Sequence, residues 1–456
     1  MNELTPKTVS KPSTIDRRER MSATIWGIPE VPREKRLAKY NLSQHDIEIL
    51  RQLAGRLVEI AHSPVNLERK NAWYRHDKIG NSRPMILTEV FDVRDEHAPL
   101  PRSIIKCENS WARNIEWQLR LEIYQFDILK DDHVVEPYWN LNWHVHVGDF
   151  GVEILQHTGE NYGGMAGKSW DPPLKNLDKD LDKLHPFTYS VDRETTMAEK
   201  QYLDKVFGDI LPVRIRGRCW WSMGLTLDVV LLVGLENLMM DMITNPKGLH
   251  RLLAFLRDNY IAYAEWLEKE GLLSLNNEND SFGSGGLVYT HDLPQPGKKP
   301  GDPVRMKDLW IFLESQETVG VGPKQFEEIV FPYQLSIAPR FGKCYYGCCE
   351  PLHTRVNIIK RLPNLARVSV SPWANQEIMG EALGKELIFS RKPHPLLVST
   401  EHFDEDAIRA DIRKTMNAAK GCRLEFIMKD VHTLYNEPNR LARWVEIARE
   451  EVAKPL

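Results

Sequence analysis

The chain of 456 residues lacks any run of about 18 apolar residues, so no membrane-spanning helix is expected. Its opening stretch, MNELTPKTVSKPSTIDRRER, lacks the apolar core of a secretory signal and reads as a polar arm. An excess of one charge is missing too: 60 Lys and Arg stand against 64 Asp and Glu, a formal net charge of -4 with both signs interspersed. That balance argues against a nucleic-acid surface, which carries a basic patch or stripe. Six cysteines are too few for a disulfide framework in a chain this long, and no CxxC pair occurs among them. The expectation is a cytoplasmic protein with reduced thiols. No Gly-x-Gly-x-x-Gly follows the first strand-like run, which argues against a dinucleotide-binding sheet. Internal repeats and low-complexity tracts are absent.

What is present is globular: 42% hydrophobic and 27% charged residues supply ample material for a core. Ser43 is placed to cap a helix over HDIEILRQLAGRLVEIA, whose apolar residues recur at helical spacing. A strand-like run Pro84-Met-Ile-Leu-Thr-Glu-Val follows, then a helix through SWARNIEWQLRLEIYQFDIL and the β-prone HVVEPYWNLNWHVHV. Residues 148–200 read as a long loop-like insertion, a lid or excursion, marked by Gly163-Gly164 and Asp171-Pro172-Pro173. Beyond residue 200 the strand candidates 211–217, 272–277, 343–348, 366–371, 386–391 and 423–430 alternate with helical stretches. With the two earlier runs this makes about eight strand–helix units. The expected fold is therefore α/β, a (β/α)8 TIM barrel over 81–456 behind an N-terminal arm and helical extension at 1–80. An open doubly wound sheet is the alternative.

In such a barrel the active site forms at the C-terminal ends of the strands. Those ends carry Glu89; Asn140, Asn142, His144 and His146; Arg216, Arg218, Trp220 and Trp221; Asn276, Asn277 and Asp280; Cys348, Cys349, Glu350 and His353; Ser371 and Trp373; Arg391; Asp430 and His432. Polar groups at nearly every end favour an enzyme over a non-catalytic barrel. The sharpest segment is Tyr345-Tyr346-Gly347-Cys348-Cys349-Glu350-Pro351-Leu352-His353, which offers thiolate, carboxylate and imidazole, the three standard zinc ligand types. His432 could complete a site with Cys349, leaving an open position for a substrate heteroatom. Equally, the adjacent cysteines could be small apolar fillers, and on a strand they would point to opposite faces. His144 and His146 share a face and suit a metal or an acidic substrate, or a structural role. Trp220 and Trp221 could wall a flat ligand, although core packing is the better use of at least one. Asn276 and Asn277 resemble substrate-orienting amides, and Asn is also common where a strand turns. Glu314 and Glu317 fit a solvated helix start better than a catalytic pair.

Three segments carry a family resemblance: WWSMGLTLDVVLLVGLENLMMDMITNPKGLHRLLAFLRD, FEEIVFPYQLSIAPRFGKCYYGC and LPNLARVSVSPWANQEIMGEALGKELIFSRKPHP. Over about residues 200 to 450 the chain resembles the uroporphyrinogen decarboxylase superfamily. True decarboxylases of that family carry an RQAGR motif after a Pro-Val-Trp-Met strand, whereas the corresponding region here reads RPMILTEVFDV. The methyltransferase branch bears His-x-Cys at the end of the fifth strand and a further Cys at the end of the eighth, which bind zinc. Here those places hold Gly347-Cys348-Cys349-Glu350, and Asp430 with His432. The resemblance thus implies a zinc-dependent methyltransferase acting on a small methylated substrate, with a corrinoid protein as methyl acceptor or donor. It implies Cys348, Cys349 and His432 as metal ligands and Glu350, His353 and Asp430 in catalytic or supporting roles. His144, His146, Trp220, Asn276, Asn277, Trp373 and Arg391 would then serve substrate binding, and a homodimer is expected. Two other readings stay open. One is a metal-independent decarboxylase or lyase of a small or aromatic acid, with Arg216 and Arg391 fixing carboxylates. The other is a barrel that binds a corrinoid or tetrapyrrole without turnover.

Overall fold

The computed structural model describes residues 19–21, 39–78, 83–90, 93–95, 97–162, 165–217 and 222–455. In chain order the strands are β1 Glu19–Met21, β2 Met85–Thr88, β3 Trp139–Asn142, β4 His144–Val147, β5 Ile154–Tyr162, β6 Met165–Asp171 and β7 Tyr189–Asp192. They continue with β8 Val213–Arg216, β9 Trp310–Leu313, β10 Lys343–Tyr346, β11 Leu365–Val370, β12 Ile388–Arg391 and β13 Arg423–Met428.

The centre is a six-stranded sheet in the order β2-β13-β12-β11-β10-β9, parallel throughout. Every residue of β9, β12 and β13 is buried, as expected of parallel strands covered on both faces. The helices Phe331–Ile337, Gln376–Leu383, Glu405–Ala418 and Arg440–Val452 connect or follow these strands. Helix Gln44–Ala61 starts where the sequence predicts it, with the Ser43 side chain accepting from Asp46 N at 3.1 Å. It packs with helices Ser110–Tyr124 and Arg193–Phe207 around Leu50, Leu57, Leu119, Leu203 and Phe207.

The expected eight-stranded closure is not what the described residues show. β3 and β8 form a separate parallel pair. The chain after β8 reaches the β9 edge through a single parallel bridge, Ser222 to Phe312, with Met223 N donating to Phe312 O at 3.0 Å. At the β2 edge, Asp132 N donates to Ile86 O at 2.8 Å, while the Asp132 and Asp131 carboxylates accept from Ile86 N and Thr88 N. The segment 272–277 is not a strand. There the Asn276 side chain stands in for a strand neighbour, donating to Trp310 O at 3.2 Å and accepting from Trp310 N at 2.9 Å. The strand in that part of the chain is β9 instead.

Residues 148–200 also depart from the loop-like expectation. β5 pairs antiparallel with β6 on one side and β1 on the other, and β7 pairs antiparallel with β4, while the Gly163-Gly164 marker lies outside the described residues. These strands lack clean apolar alternation, which is the signal a sequence reading relies on.

A glycine-rich hairpin, Ser281–Leu287, lies against the side chains of the central sheet. Ser281 bridges Leu287, and Phe282 N donates to Gly286 O at 3.1 Å. At Gly283 (φ 61°) a Cβ would collide with Tyr345, and at Gly286 (φ 106°) it would crowd Arg367 and Glu425. Arg367 Nη2 donates to Leu287 O at 2.9 Å. Among the described residues no helix is long and apolar enough to cross a membrane.

Candidate functional site

Parallel registry brings the C-terminal strand ends out on one side: Tyr346 lies opposite Leu313, Val370 opposite Arg391, and Met428 opposite Thr88. Just beyond these ends come Glu89, Glu314, Cys348, Cys349, Glu350, Lys392, Lys429 and Asp430. Gly347 turns the chain out of β10 with φ 95°, where a side chain would strike Leu352. The turn sets the Cys348 and Cys349 sulfurs 3.7 Å apart, with Cys349 exposed and Cys348 partly buried. The Ser284 hydroxyl, at the tip of the glycine hairpin, donates to Cys348 Sγ at 3.7 Å.

Glu350 is buried and ties two loops together, accepting from Ser315 N at 3.0 Å and Cys348 N at 2.8 Å. Burial outweighs those bonds and raises its carboxyl above the ordinary range. Glu314 is raised further, by burial first and then by Glu317 and Glu350, while Gln316 N donates to it at 2.9 Å. The hydrogen bond with Cys349, followed by burial, pushes the Cys348 thiol up; the same bond lowers the Cys349 thiol. Burial works against the charge on Lys429, yet Glu89, Asp430 and the two cysteines raise it overall. Its Nζ lies 4.0 Å from Asp430 Oδ1. Lys392 is buried below this rim and donates to Tyr345 Oη at 2.8 Å and Ser390 Oγ at 2.5 Å. Burial pushes its ammonium down to about 7 against the pull of Glu425.

The other expected site residues are placed as follows. His353 Nδ1 accepts from Asn375 N at 3.2 Å, and Trp373 is 65% exposed with its ring edge-on to His394 at 5.0 Å. His432 lies past β13 with Nδ1 buried and unpartnered. His144 and His146 sit on the β4–β7 ribbon, where His144 Nε2 meets Glu199 Oε2 at 2.7 Å and His146 Nδ1 is buried without a partner. The Asn276 amide is engaged by Trp310, and Asn277 Nδ2 donates to Leu293 O at 2.8 Å. Arg391 is buried, its guanidinium donating to Ser371 O at 2.9 Å and Asp411 Oδ1 at 3.4 Å. Trp220, with Arg218 and Trp221, lies outside the described residues.

Glu314 corrects an expectation: it is buried in the rim and does not form a solvated helix start. Lys392, Lys429 and Ser284 escaped the sequence reading altogether. A lysine directly after a buried strand run, as in Arg391-Lys392 and Met428-Lys429, was the available signal.

Two thiolates on one tetrahedral zinc, at Zn–S of about 2.3 Å, stand about 3.8 Å apart, so the Cys348–Cys349 spacing suits that ion. Among the described residues no group of three His, Cys, Asp or Glu converges to hold a metal. The cysteine pair therefore stands without a third His, Cys, Asp or Glu gathered beside it among the described residues.

No protein-family model matches the chain, and neither does any curated protein. Among solved structures it is similar to a methyltransferase from Methanosarcina mazei, at 12% identity over 85% of this chain and 99% of that one, with a TM-score of 0.46.

Proposed function

We propose that the chain is a methyl-transfer enzyme of the methyltransferase branch of the uroporphyrinogen decarboxylase superfamily, centred on Cys348 and Cys349. In this reading the six-stranded sheet is the larger part of a (β/α)8 barrel, and a corrinoid protein gives or takes the methyl group. The observation that carries it is the pair of sulfurs 3.7 Å apart at the C-terminal end of the parallel sheet. Cys348 and Cys349 would hold zinc, which when bound supplies Lewis-acid activation of a heteroatom on a small methylated substrate.

The chain's own groups have distinct tasks. The bond with Cys348 is the main influence that lowers the Cys349 thiol, and Lys429 adds positive charge that offsets part of the opposing Asp430 carboxylate. Glu350, through two backbone amides, fixes the loop that carries both sulfurs. Ser284 orients Cys348. Burial and the neighbouring Glu317 and Glu350 raise the Glu314 carboxyl well above the ordinary range, which disfavours a charge there and suits a proton-donating role. The carboxylate-binding lyase reading needs free guanidinium groups. Arg216 is instead paired with Asp280 at 2.6 Å, and Arg391 is engaged by Ser371 and Asp411.

Elemental analysis of anaerobically purified protein should find one zinc per chain, lost in Cys348→Ser and in Cys349→Ser. The wild type should then methylate cob(I)alamin from some member of a panel of methylated amines, thiols and ethers, read by absorbance. Metal-free protein with no methyl transfer from any member would overturn the reading.

A further inference from the structure

Cys348 and Cys349 are the only adjacent cysteines in the sequence, and they differ in access: Cys349 is exposed at the rim, and Cys348 sits partly buried behind it. The backbone of Cys348 is held on both sides. Its N donates to Glu350 Oε2 at 2.8 Å, and its carbonyl accepts from Ser369 Oγ at 3.0 Å. With the Gly347 turn, these bonds keep the two sulfurs 3.7 Å apart. A disulfide bond is about 2.05 Å long, so the gap to close is about 1.7 Å, a matter of side-chain rotation and a twist of the intervening peptide. No other described cysteine competes for either sulfur. Cys344 is buried near the start of β10, Cys422 lies just before β13 at the end of the sheet away from the rim, and the buried Cys107 faces Asp46 O.

We propose that this pair is an oxidation site, closing into a reversible vicinal disulfide when the protein meets a peroxide. Cys349 is the sulfur that the peroxide reaches. Its thiolate attacks one peroxide oxygen, the O–O bond breaks and hydroxide leaves, which gives a sulfenic acid. The Cys348 sulfur then loses its proton and attacks the Cys349 sulfur; the S–O bond breaks, and the hydroxyl departs as water. In sum two thiols lose two electrons and two protons, and the peroxide becomes two waters.

Adjacent Cα atoms stand about 3.8 Å apart across a trans peptide, short of the roughly 4.4–6.8 Å that bridged cysteines usually span. The ring is therefore strained, and a strained, exposed disulfide is readily reduced by a monothiol such as glutathione. A resolving sulfur 3.7 Å away also spares Cys349 the irreversible sulfinic acid. The consequence for metal rests on the methyl-transfer reading: a disulfide offers no thiolate, so closure would take both sulfurs from zinc and release the ion. The disulfide itself does not depend on that reading.

The test treats the full-length protein, as purified and after chelation, with hydrogen peroxide, blocks the remaining thiols with N-ethylmaleimide in denaturant, and maps tryptic peptides. Trypsin leaves Cys344, Cys348 and Cys349 in one peptide that ends at Arg355. Loss of the Cys348 and Cys349 labels is expected, with Cys344 still labelled and both lost labels regained after glutathione. Cys348→Ser lacks the resolving sulfur, so under excess peroxide its Cys349 should pass to the sulfinic acid and stay unlabelled after glutathione. A chromogenic chelator should report one zinc released per disulfide; a disulfide formed in protein that never held zinc would support the oxidation site and sink only the zinc reading. Sulfinic acid at Cys349 of the wild type without a disulfide, a bridge from Cys349 to Cys219 or to another chain, or both thiols still labelled in chelated protein would overturn the proposal.

Discussion

Replacing Lys392 with Met should make the protein more stable at pH 6 and less stable at pH 10. The ammonium is buried, and its value falls from 10.5 to about 7. A lowered value means the folded state favours the neutral amine. Between about pH 7 and 10.5 the unfolded chain binds the extra proton, so wild-type stability rises with pH. The penalty is fully present below pH 7. At 1.36 kcal/mol per pH unit, it amounts to about 5 kcal/mol there. The substitution removes that penalty and also three hydrogen bonds, to Tyr345 Oη, Ser390 Oγ and Ser390 O, worth about 3 kcal/mol together. The net is a gain of about 2 kcal/mol at pH 6, a crossing between pH 8 and 9, and a loss of about 2 kcal/mol at pH 10. Glu425, held down to about 2, stays charged over this whole window and does not confuse the result. Urea unfolding of both proteins at pH 6, 7, 8, 9 and 10, followed by tryptophan fluorescence, gives the difference directly. A stability difference that does not change with pH would refute the assignment of a buried neutral amine.

Three further outcomes are expected. Cys349 is exposed and its thiol lowered, while Cys107 and Cys344 are buried and raised; in chelator-treated protein limiting iodoacetamide should therefore label Cys349 before either of them, as read by peptide mass spectrometry. Glu350→Ala leaves the Ser315 and Cys348 amides unpaired, which should cost about 3 kcal/mol in urea unfolding and depress zinc retention together with it. Asp132 is buried, and although burial opposes its charge, Arg83, Arg449 and the Ile86 amide pull its carboxyl below the ordinary value. Its contribution is present above the unfolded carboxylate value and fades as pH falls through the lower folded one. Asp132→Asn should accordingly cost about 3 kcal/mol or more at pH 7, and the gap from wild type should narrow in acid.

Most of the central sheet was legible because short stretches rich in β-branched and aromatic residues recur between helical ones, even though they carry buried Arg367, Ser369, Ser390 and Glu425. ARVSVS, ELIFSR and RLEFIMKD each correspond to a strand within a residue or two. WIFL escaped because it is four residues long and follows the turn-rich GKKPGDP. LLSLNN had the composition of a strand, but the Asn276 amide makes the contacts to Trp310 that a backbone ladder would make. At the rim, Cys348 and Cys349 were conspicuous as an adjacent pair. Glu314 was not, because whether a carboxylate after a strand is solvated or enclosed depends on Gly224, far away in sequence, leaving room for it. Lys392 and Lys429 were masked by the ordinary expectation that lysine is exposed.

The Ser281–Leu287 hairpin also constrains the order of assembly. Its neighbours Tyr345, Arg367 and Glu425 belong to β10, β11 and β13, all of them later in the chain than the hairpin itself. During synthesis from the N-terminus the hairpin emerges before any surface exists to receive it, and it can seat fully only once β13 has been made. Such long-range closure is slow, and until it happens the half-built sheet exposes its β13-facing edge, β12. Truncations that remove β13 would then leave a chain that is synthesised normally yet aggregates, rather than a smaller folded protein.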